Sequence, residues 1–141
     1  MPTSDRASKN VEMVKTHATV ENKHDIVATM DTLEENCFRD EVAGRRYEGR
    51  AACGDRYLEL WKAFPDFTVT PRNFIASDDH VVMQADYTGT HTGKYRGIDG
   101  TGKKFKVRIA VVFPIQGEEL RGETIYMDLA SQLRQLDLPL Q

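Results

Sequence analysis

The chain has 141 residues, of which 40% are hydrophobic and 29% are charged. This length fits one domain with a substantial core and is too short for two ordinary domains. The formal net charge is only -3 and both signs are interspersed, so neither nucleic acid nor an anionic membrane surface is an expected partner.

The first residues are polar, and no run elsewhere approaches the roughly 20 apolar residues that a membrane span needs. We therefore expect a cytoplasmic protein with a polar N-terminal tail over residues 1–9. The two cysteines, Cys37 and Cys53, lie in no metal-binding spacing and follow no secretion signal, which favours free thiols and argues against structural zinc.

Two helices, or one broken helix, are predicted to open the domain. Each has an apolar stripe close to helical spacing. The first stripe is formed by Val11, Met13, Val14 and Ala18, and the second by Ile26, Val27, Met30 and Leu33. Between them, Asp25 can accept backbone N–H bonds as the cap of the second helix, so we expect the break there.

A third helix is predicted after Gly49. Its apolar face has residues at i, i+3, i+4 and i+7, namely Tyr57, Leu60, Trp61 and Phe64. Pro65 should end it, because proline lacks the N–H that would continue the helix. The mixed segment before this helix, Cys37 to Tyr47, could hold one or two edge strands.

The rest of the chain is predicted to be rich in β-strands and to finish in an amphipathic helix. The predicted strands are residues 67–75, 80–90, 104–115 and about 120–127. The final helix has Leu129, Leu133 and Leu136 on one face. Helices followed by a meander of long strands indicate an α+β domain with a curved, antiparallel sheet.

The strand over residues 104–115 suggests a second copy of the chain as a partner. Its first half alternates polar and apolar residues, whereas Ile109 to Phe113 is apolar at every position, which predicts that both faces are covered. The opening helices can cover one face of the sheet. We therefore expect a homodimer formed through the outer face.

Several short motifs, in order along the chain, resemble those of the SnoaL-like polyketide cyclases, which belong to the nuclear transport factor 2-like superfamily. The motifs are Trp61 to Asp66 (WKAFPD), Gly89 to Gly93 (GTHTG), Gly97-Ile98 with Thr101-Gly102, and Asp128 shortly before Gln135-Leu136. The resemblance covers about residues 10–137 as a single domain, leaving 138–141 as a short tail. It implies a cone, in which a strongly curved, antiparallel or mixed sheet wraps around the N-terminal helices and leaves a pocket at the open end.

The resemblance also implies a chemistry. Members with known activity close a ring by an intramolecular aldol reaction without metal or cofactor, and an aspartate at the end of the last long strand acts as acid and base. Asp128 occupies the matching position. A carboxylate suffices to remove an acidic proton between two carbonyls, particularly where an apolar pocket raises its pKa.

The three candidate catalytic residues each have a second interpretation. Asp128 directly precedes the last helix, where an aspartate also serves as an N-cap. Tyr126 shares a strand face with Asp128 and could donate to an enolate oxygen or simply belong to the core. His91 lies in the glycine-rich hairpin and could act directly or be held by the local backbone.

Further candidates are assigned to substrate binding. The aromatic residues could be core or substrate platform, the strand residues could face the pocket or solvent, and the two histidines lie on or between the opening helices, which line the pocket mouth in this superfamily. They are Trp61, Phe64, Gln84, Arg108, His17 and His24.

The sequence therefore predicts a cofactor-free enzyme of the cyclase or isomerase type, acting on a small, mostly apolar carbonyl compound. The alternatives are a non-catalytic ligand-binding or dimerisation module of the same fold, and a hydrolase or dehydratase of the superfamily. No metal site or cofactor loop is expected.

Overall fold

The computed structural model describes residues 4–140, and these form four helices and six strands. The helices are α1 (Asp5–Asn22), α2 (Ile26–Asp31), α3 (Gly49–Ala63) and α4 (Leu129–Gln135). The strands are β1 (Leu33–Glu41), β2 (Arg46–Glu48), β3 (Thr68–Ala76), β4 (His80–Thr90), β5 (Lys104–Gln116) and β6 (Glu119–Met127). None of these helices has the length and apolar character needed to cross a bilayer.

The strands form one mixed sheet in the order β2-β1-β6-β5-β4-β3. All neighbouring strands are antiparallel except β1 and β6, which run parallel. The register shifts within three of the pairs, β1 with β6, β3 with β4 and β5 with β6. Such irregularities bend strands, and this sheet is curled without closing. The predicted α+β architecture with a curved, mixed sheet is confirmed.

The hydrophobic core lies between the sheet and the helices, with α1 against β3 and β4 and α3 against β1. Phe64 and Tyr57 are fully buried there, as are Phe113 and Leu120 from the sheet. Each of α1, α2 and α4 begins at a side chain that accepts a backbone N–H bond, from Ser4, Asp25 and Asp128 respectively. The expected cap at Asp25 is present, with Oδ1 3.0 Å from the amide nitrogen of Ala28.

The β1–β6 pair depends on a glycine. A Cβ atom built on Gly122 would lie 2.5 Å from the carbonyl oxygen of Phe38 on the neighbouring strand. Real Cβ atoms do not approach an oxygen so closely, so only glycine permits this spacing of the strands. The pair matters for function because β1 and β6 supply much of the charged interior described below.

Helix α1 begins earlier than the sequence predicted. Ser4 caps it, so residues 5–9 are helical and do not form a polar tail, while residues 1–3 lie outside the described part of the chain. Arg6 donates to the carbonyl of Gly117, and the Asn10 amide donates to the carbonyls of Ser77 and Asp78. These bonds to the β-hairpin turns fix the first turns of α1, which apolar spacing alone could not reveal.

The segment before α3 also differs from the prediction. Leu33 starts β1 and does not continue α2, which ends at Asp31. Strand β1 is a nine-residue interior strand between β2 and β6, and of the two strands in this segment the short β2 forms the edge of the sheet. At the other end of the chain, a short tail was predicted over residues 138–141. Leu138 is buried in the core and does not belong to a tail.

Candidate active site

A cavity that is partly open to solvent lies between the inner face of the sheet and helices α3 and α4. Its apolar lining consists of Leu60, Phe67, Ile125, Met127 and Leu129. Its polar lining consists of Arg39, Glu41, Arg56, Tyr87, Tyr95, Arg96 and Gln132. Small-molecule sites in proteins combine apolar walls with converging polar groups, and this cavity offers both kinds of contact.

The space open to the centres of water-sized molecules is about 40 Å³. This is enough for a few water molecules and too little for a polyketide-sized ligand without side-chain movement. The flexible Met127 and Arg96 side chains of the wall are the natural groups to move, since neither is fully buried.

Glu41 is the carboxylate that lines the cavity, and two arginines hold it. Its Oε2 accepts from Nε of Arg39 at 2.7 Å and from Nε of Arg56 at 2.8 Å, and its Oε1 accepts from Nη2 of Arg56 at 2.8 Å. Burial alone would raise the pKa of Glu41, but the charge of Arg39 and the bonds from Arg56 lower it. Glu41 is therefore ionised at neutral pH.

Glu123 lies behind Arg39, deeper in the interior, and orients it. Its Oε1 accepts from Nη1 of Arg39 at 2.6 Å and from the Tyr57 hydroxyl at 2.7 Å. Burial alone would raise the pKa of Glu123, but the charge of Arg39 and the bond from His17 hold it well below its usual range. The guanidinium of Arg39 is thereby fixed between two carboxylates.

His17 is buried among carboxylates and is protonated. The Thr32 hydroxyl donates to the carbonyl of Thr29, so Nδ1 of His17 must donate to Thr32 Oγ1, 2.6 Å away. Its Nε2 lies 3.3 Å from Glu21 and 3.5 Å from Glu123. Burial alone would lower the pKa of His17, but hydrogen bonds with Glu123 and Glu21 raise it to about 9.

The same three side chains, His17, Glu21 and Glu123, are grouped closely enough to ligate a metal ion, with their ligand atoms within 4.8 Å of one another. The charges of the buried network are already balanced, however. The three acids Glu21, Glu41 and Glu123 face three cations, His17, Arg39 and Arg56. A divalent ion in this group would have to displace the proton of His17 and would add positive charge that no further carboxylate of the group balances.

Asp128 and Tyr126, the sequence candidates for catalysis, lie outside the cavity. Asp128 is exposed, and its Oδ1 accepts from the backbone N–H of Ser131 at 3.0 Å, which is the N-cap interaction of α4. Tyr126 is 50% exposed. Both border a shallow depression that shares Ala43 and Met127 with the cavity wall, so these two residues separate Asp128 from the interior.

His91 secures the glycine-rich loop. Its Nδ1 accepts from the backbone N–H of Thr101 at 3.2 Å, which leaves the proton on Nε2 to donate to the carbonyl of Ile98 at 3.2 Å. The ring is fully buried. His91 therefore shapes the loop that carries Tyr95 and Arg96 into the cavity wall, and it does not itself line the cavity.

The candidate substrate-binding residues also lie elsewhere. Phe64 is fully buried in the core, and Trp61 stacks on His24 with ring centroids 4.8 Å apart. Gln84 and Arg108 are exposed on the outer face of the sheet. None of the sequence candidates lines the cavity.

The charged lining was missed, although part of it left a signal in the sequence. In β6, Glu123 shares the period-two face of Ile125 and Met127, so an acid interrupts an inward apolar row. In β1, Cys37, Arg39 and Glu41 likewise share one face. A charged residue on the apolar face of a strand is the pattern that identifies this interior.

A family model matches most of the chain. The model is described as SnoaL-like polyketide cyclase, and it matches residues 11–136. The chain belongs to the SnoaL-like polyketide cyclase family. No curated protein matches this SnoaL-like chain.

Solved structures of other proteins are similar to this SnoaL-like chain in fold. A proposed SnoaL-like polyketide cyclase from Jannaschia sp. CCS1 has a TM-score of 0.90 and 20% identity, covering 99% of both chains. A protein with a ketosteroid isomerase-like fold from Catenulispora acidiphila, in complex with trimethylamine, has a TM-score of 0.79 and 23% identity, covering 91% of this chain and 94% of that chain. A proposed polyketide cyclase from Streptomyces antibioticus has a TM-score of 0.78 and 17% identity, covering 91% and 98%.

Proposed function

We propose that this SnoaL-like protein is a cofactor-independent enzyme of the cyclase or isomerase type, and that the cavity is its substrate site. The observation that carries the proposal is the convergence of Glu41, three arginines and Tyr87 on a cavity that also has apolar walls. The substrate class is a small, mostly apolar carbonyl compound, because the lining offers apolar contact together with the hydrogen-bond donors of arginine and tyrosine side chains.

In the proposed reaction, the carboxylate of Glu41 removes a proton from a carbon between two carbonyl groups. The electron pair passes to a carbonyl oxygen, and the resulting enolate is stabilised by donors on the cavity wall. Burial raises the pKa of Tyr87 well above its ordinary value, so its hydroxyl stays protonated and can donate. The enolate carbon then attacks a second carbonyl, and the protonated Glu41 returns its proton to the new alkoxide.

Asp128 remains a second candidate for the base. It borders the depression that adjoins the cavity at Ala43 and Met127, and displacement of Met127 would open one space to the other. Its bond to the Ser131 amide engages Oδ1 and leaves Oδ2 for a substrate. The two carboxylates are therefore tested together.

The test is deuterium incorporation at C2 of 1-phenylbutane-1,3-dione in D2O, followed by proton NMR. The wild type is expected to accelerate the exchange above the buffer rate, and Glu41→Gln to lose about 10²–10⁴-fold of that acceleration, as when a general base is removed. Tyr87→Phe should lower the rate without removing it. Circular dichroism and thermal unfolding must show that each variant is folded.

The results for Asp128→Asn separate the two bases. If exchange persists in Asp128→Asn and is lost in Glu41→Gln, the cavity carboxylate is the base. The reverse result would move the chemistry to the depression around Asp128. No exchange above the buffer rate with the wild type, together with binding of the diketone, would contradict the enzyme assignment.

A non-catalytic ligand-binding module is the second candidate function, and the state of Glu41 favours it. Both oxygens of Glu41 already accept bonds from arginines, so protonation would weaken three charge-assisted hydrogen bonds. A base with a lowered pKa is a weak one. Under this alternative, the diketone binds and its C2 protons exchange at the buffer rate.

A further inference from the structure

Arg96 occupies a backbone position that does not favour arginine. It lies in a tight turn in which Tyr95 and Ile98 exchange backbone hydrogen bonds, each 2.9 Å long. Both central residues have positive φ, 51° at Arg96 and 80° at Gly97. Turns of this kind favour asparagine, aspartate and glycine, because other side chains are strained in the left-handed region.

The loop holds this turn against the cavity. His91 anchors Ile98, and Gly93 approaches the end of α3 so closely that a Cβ atom there would lie 2.3 Å from the carbonyl oxygen of Lys62. The Tyr95 hydroxyl donates to Oε1 of Gln132 at 2.8 Å, which ties the turn to α4. The backbone of Arg96 is consequently held at the wall of the cavity, which its side chain lines.

The three arginines of the wall differ in how their charge is balanced. Arg39 binds Glu41 and Glu123, and Arg56 binds Glu41 and Glu59. Within residues 4–140, Arg96 takes part in no ion pair, and its Nε is buried without a hydrogen-bond partner. A buried N–H of a charged group without a partner is costly. A rotation of the Arg96 side chain toward the cavity would offer its guanidinium N–H groups to an anionic oxygen bound there.

We propose that the cavity binds carbonyl compounds that also carry a carboxylate, and that Arg96 binds this carboxylate. The inference rests on the proposed substrate site and narrows its substrate class from carbonyl compounds in general to keto acids. The strained backbone at Arg96 is then a cost of placing a guanidinium at the cavity wall.

The test compares two probes that differ at one group. 4-Oxo-4-phenylbutanoate carries a terminal carboxylate, and 1-phenylpentane-1,4-dione carries a methyl ketone in its place. Dissociation constants are measured by isothermal titration calorimetry at low and moderate salt for the wild type and for Arg96→Gln, Arg96→Lys and Arg121→Gln. Arg121 is the matched control, since its side chain is 55% exposed and lies outside the cavity lining.

We expect the wild type to bind the carboxylate at least about tenfold more tightly than the diketone, as one charge-assisted hydrogen-bond pair provides. Arg96→Gln should weaken binding of the carboxylate probe more than binding of the diketone and so lose this preference, and Arg96→Lys should retain part of it. Arg121→Gln should match the wild type. Equal affinity for the two probes, or a preference that survives in Arg96→Gln, would overturn the inference.

The outcomes also separate this inference from the proposed function. Binding of the diketone without any preference for the carboxylate would leave the cavity as the ligand site and reject only the role of Arg96. Absence of binding for both probes would reject the ligand site and the inference with it.

Discussion

At the scale of single residues, the interior of this protein is unusual for the number of charges that it buries. His17, Arg39 and Glu123 are each almost inaccessible to solvent, and each is bound by partners of opposite charge. Buried ion pairs add little net stability compared with apolar packing, but loss of one partner leaves the other as an unpaired buried charge, which is destabilising. The network therefore makes stability sensitive to the protonation state of His17.

Raising the pH should destabilise the protein through His17. Its pKa is about 9 in the folded state and 6.5 as a model group, so protonation favours the folded state. This contribution is complete below pH 6.5 and disappears as the pH rises through 9. We expect a loss of about 3 kcal/mol between these limits, measured by urea unfolding across the pH range.

The control variant for this pH effect is His80→Gln, since His80 is an exposed histidine paired with Asp79. It should keep the alkaline loss of stability, whereas His17→Gln should remove it. A wild-type unfolding free energy that is flat between pH 6.5 and pH 9 would show that His17 is neutral in the folded protein.

Asp128→Ala should destabilise the protein by about 1 kcal/mol, as is typical for loss of a helix N-cap, and Asp128→Asn by much less because asparagine also caps. The reason is the bond from the Ser131 amide at the start of α4. Urea unfolding measures both variants. Equal stability of Asp128→Ala and the wild type would show that α4 does not depend on this cap.

At the scale of secondary-structure elements, we expect that the turn containing Arg96 can be made more stable by a substitution that weakens binding of the carboxylate. Asparagine tolerates positive φ better than arginine, so Arg96→Asn should raise the free energy of unfolding by about 0.5–1 kcal/mol. The same variant should lose the preference for the carboxylate probe. Thermal unfolding and calorimetry of one sample test both effects, and a less stable Arg96→Asn would mean that the side chain supports the fold through its packing.

Most elements could be predicted because their sequences agree with their structure. The strands β4 to β6 alternate or contain apolar runs, and Pro65 ends α3 as expected. The first four residues of β1, with the sequence LEEN, were missed because glutamate and asparagine are depleted in strands. Tertiary pairing with β2 and β6, and not local propensity, determines that segment.

The candidate site was harder to predict for a geometric reason. The charged residues of the site lie far apart in sequence, and only the order of strands in the sheet brings them together. They are Glu41, Arg56, Arg96 and Glu123. Sequence motifs drew attention to the glycine-rich hairpin, which does form part of the wall. The hairpin residues that line the cavity are Tyr95 and Arg96, for which the sequence alone offers no distinguishing pattern.

At the scale of the whole molecule, the outer face of the sheet has two unlike halves. Val82, Ala110 and Val112 are only half-buried and form an apolar region next to the exposed Tyr126. Farther along the same face, Asp86 is surrounded by Arg72, Lys106 and Arg108. An apolar area with a charged margin is the composition of many protein interfaces.

We propose that a second copy of the chain covers this apolar area in a homodimer. Sedimentation velocity at micromolar concentration should give the mass of two chains, and Val112→Glu should shift the protein toward one. Lys104→Glu, a charge change on an exposed residue at the end of the same strand, serves as the control. A wild-type protein that sediments as a monomer at this concentration would contradict the proposal.

The parallel pairing of β1 with β6 has a consequence for biosynthesis. Arg39 and Glu123 are 84 residues apart, so the charged interior cannot assemble until most of the chain has left the ribosome. Until then, the arginine and glutamates of β1 lack their final partners. The edge of β1 that later pairs with β6 is also unpaired. We expect the nascent chain to remain open to protease and chaperone contact until β6 is released, and the cavity to be the last part of the protein to form.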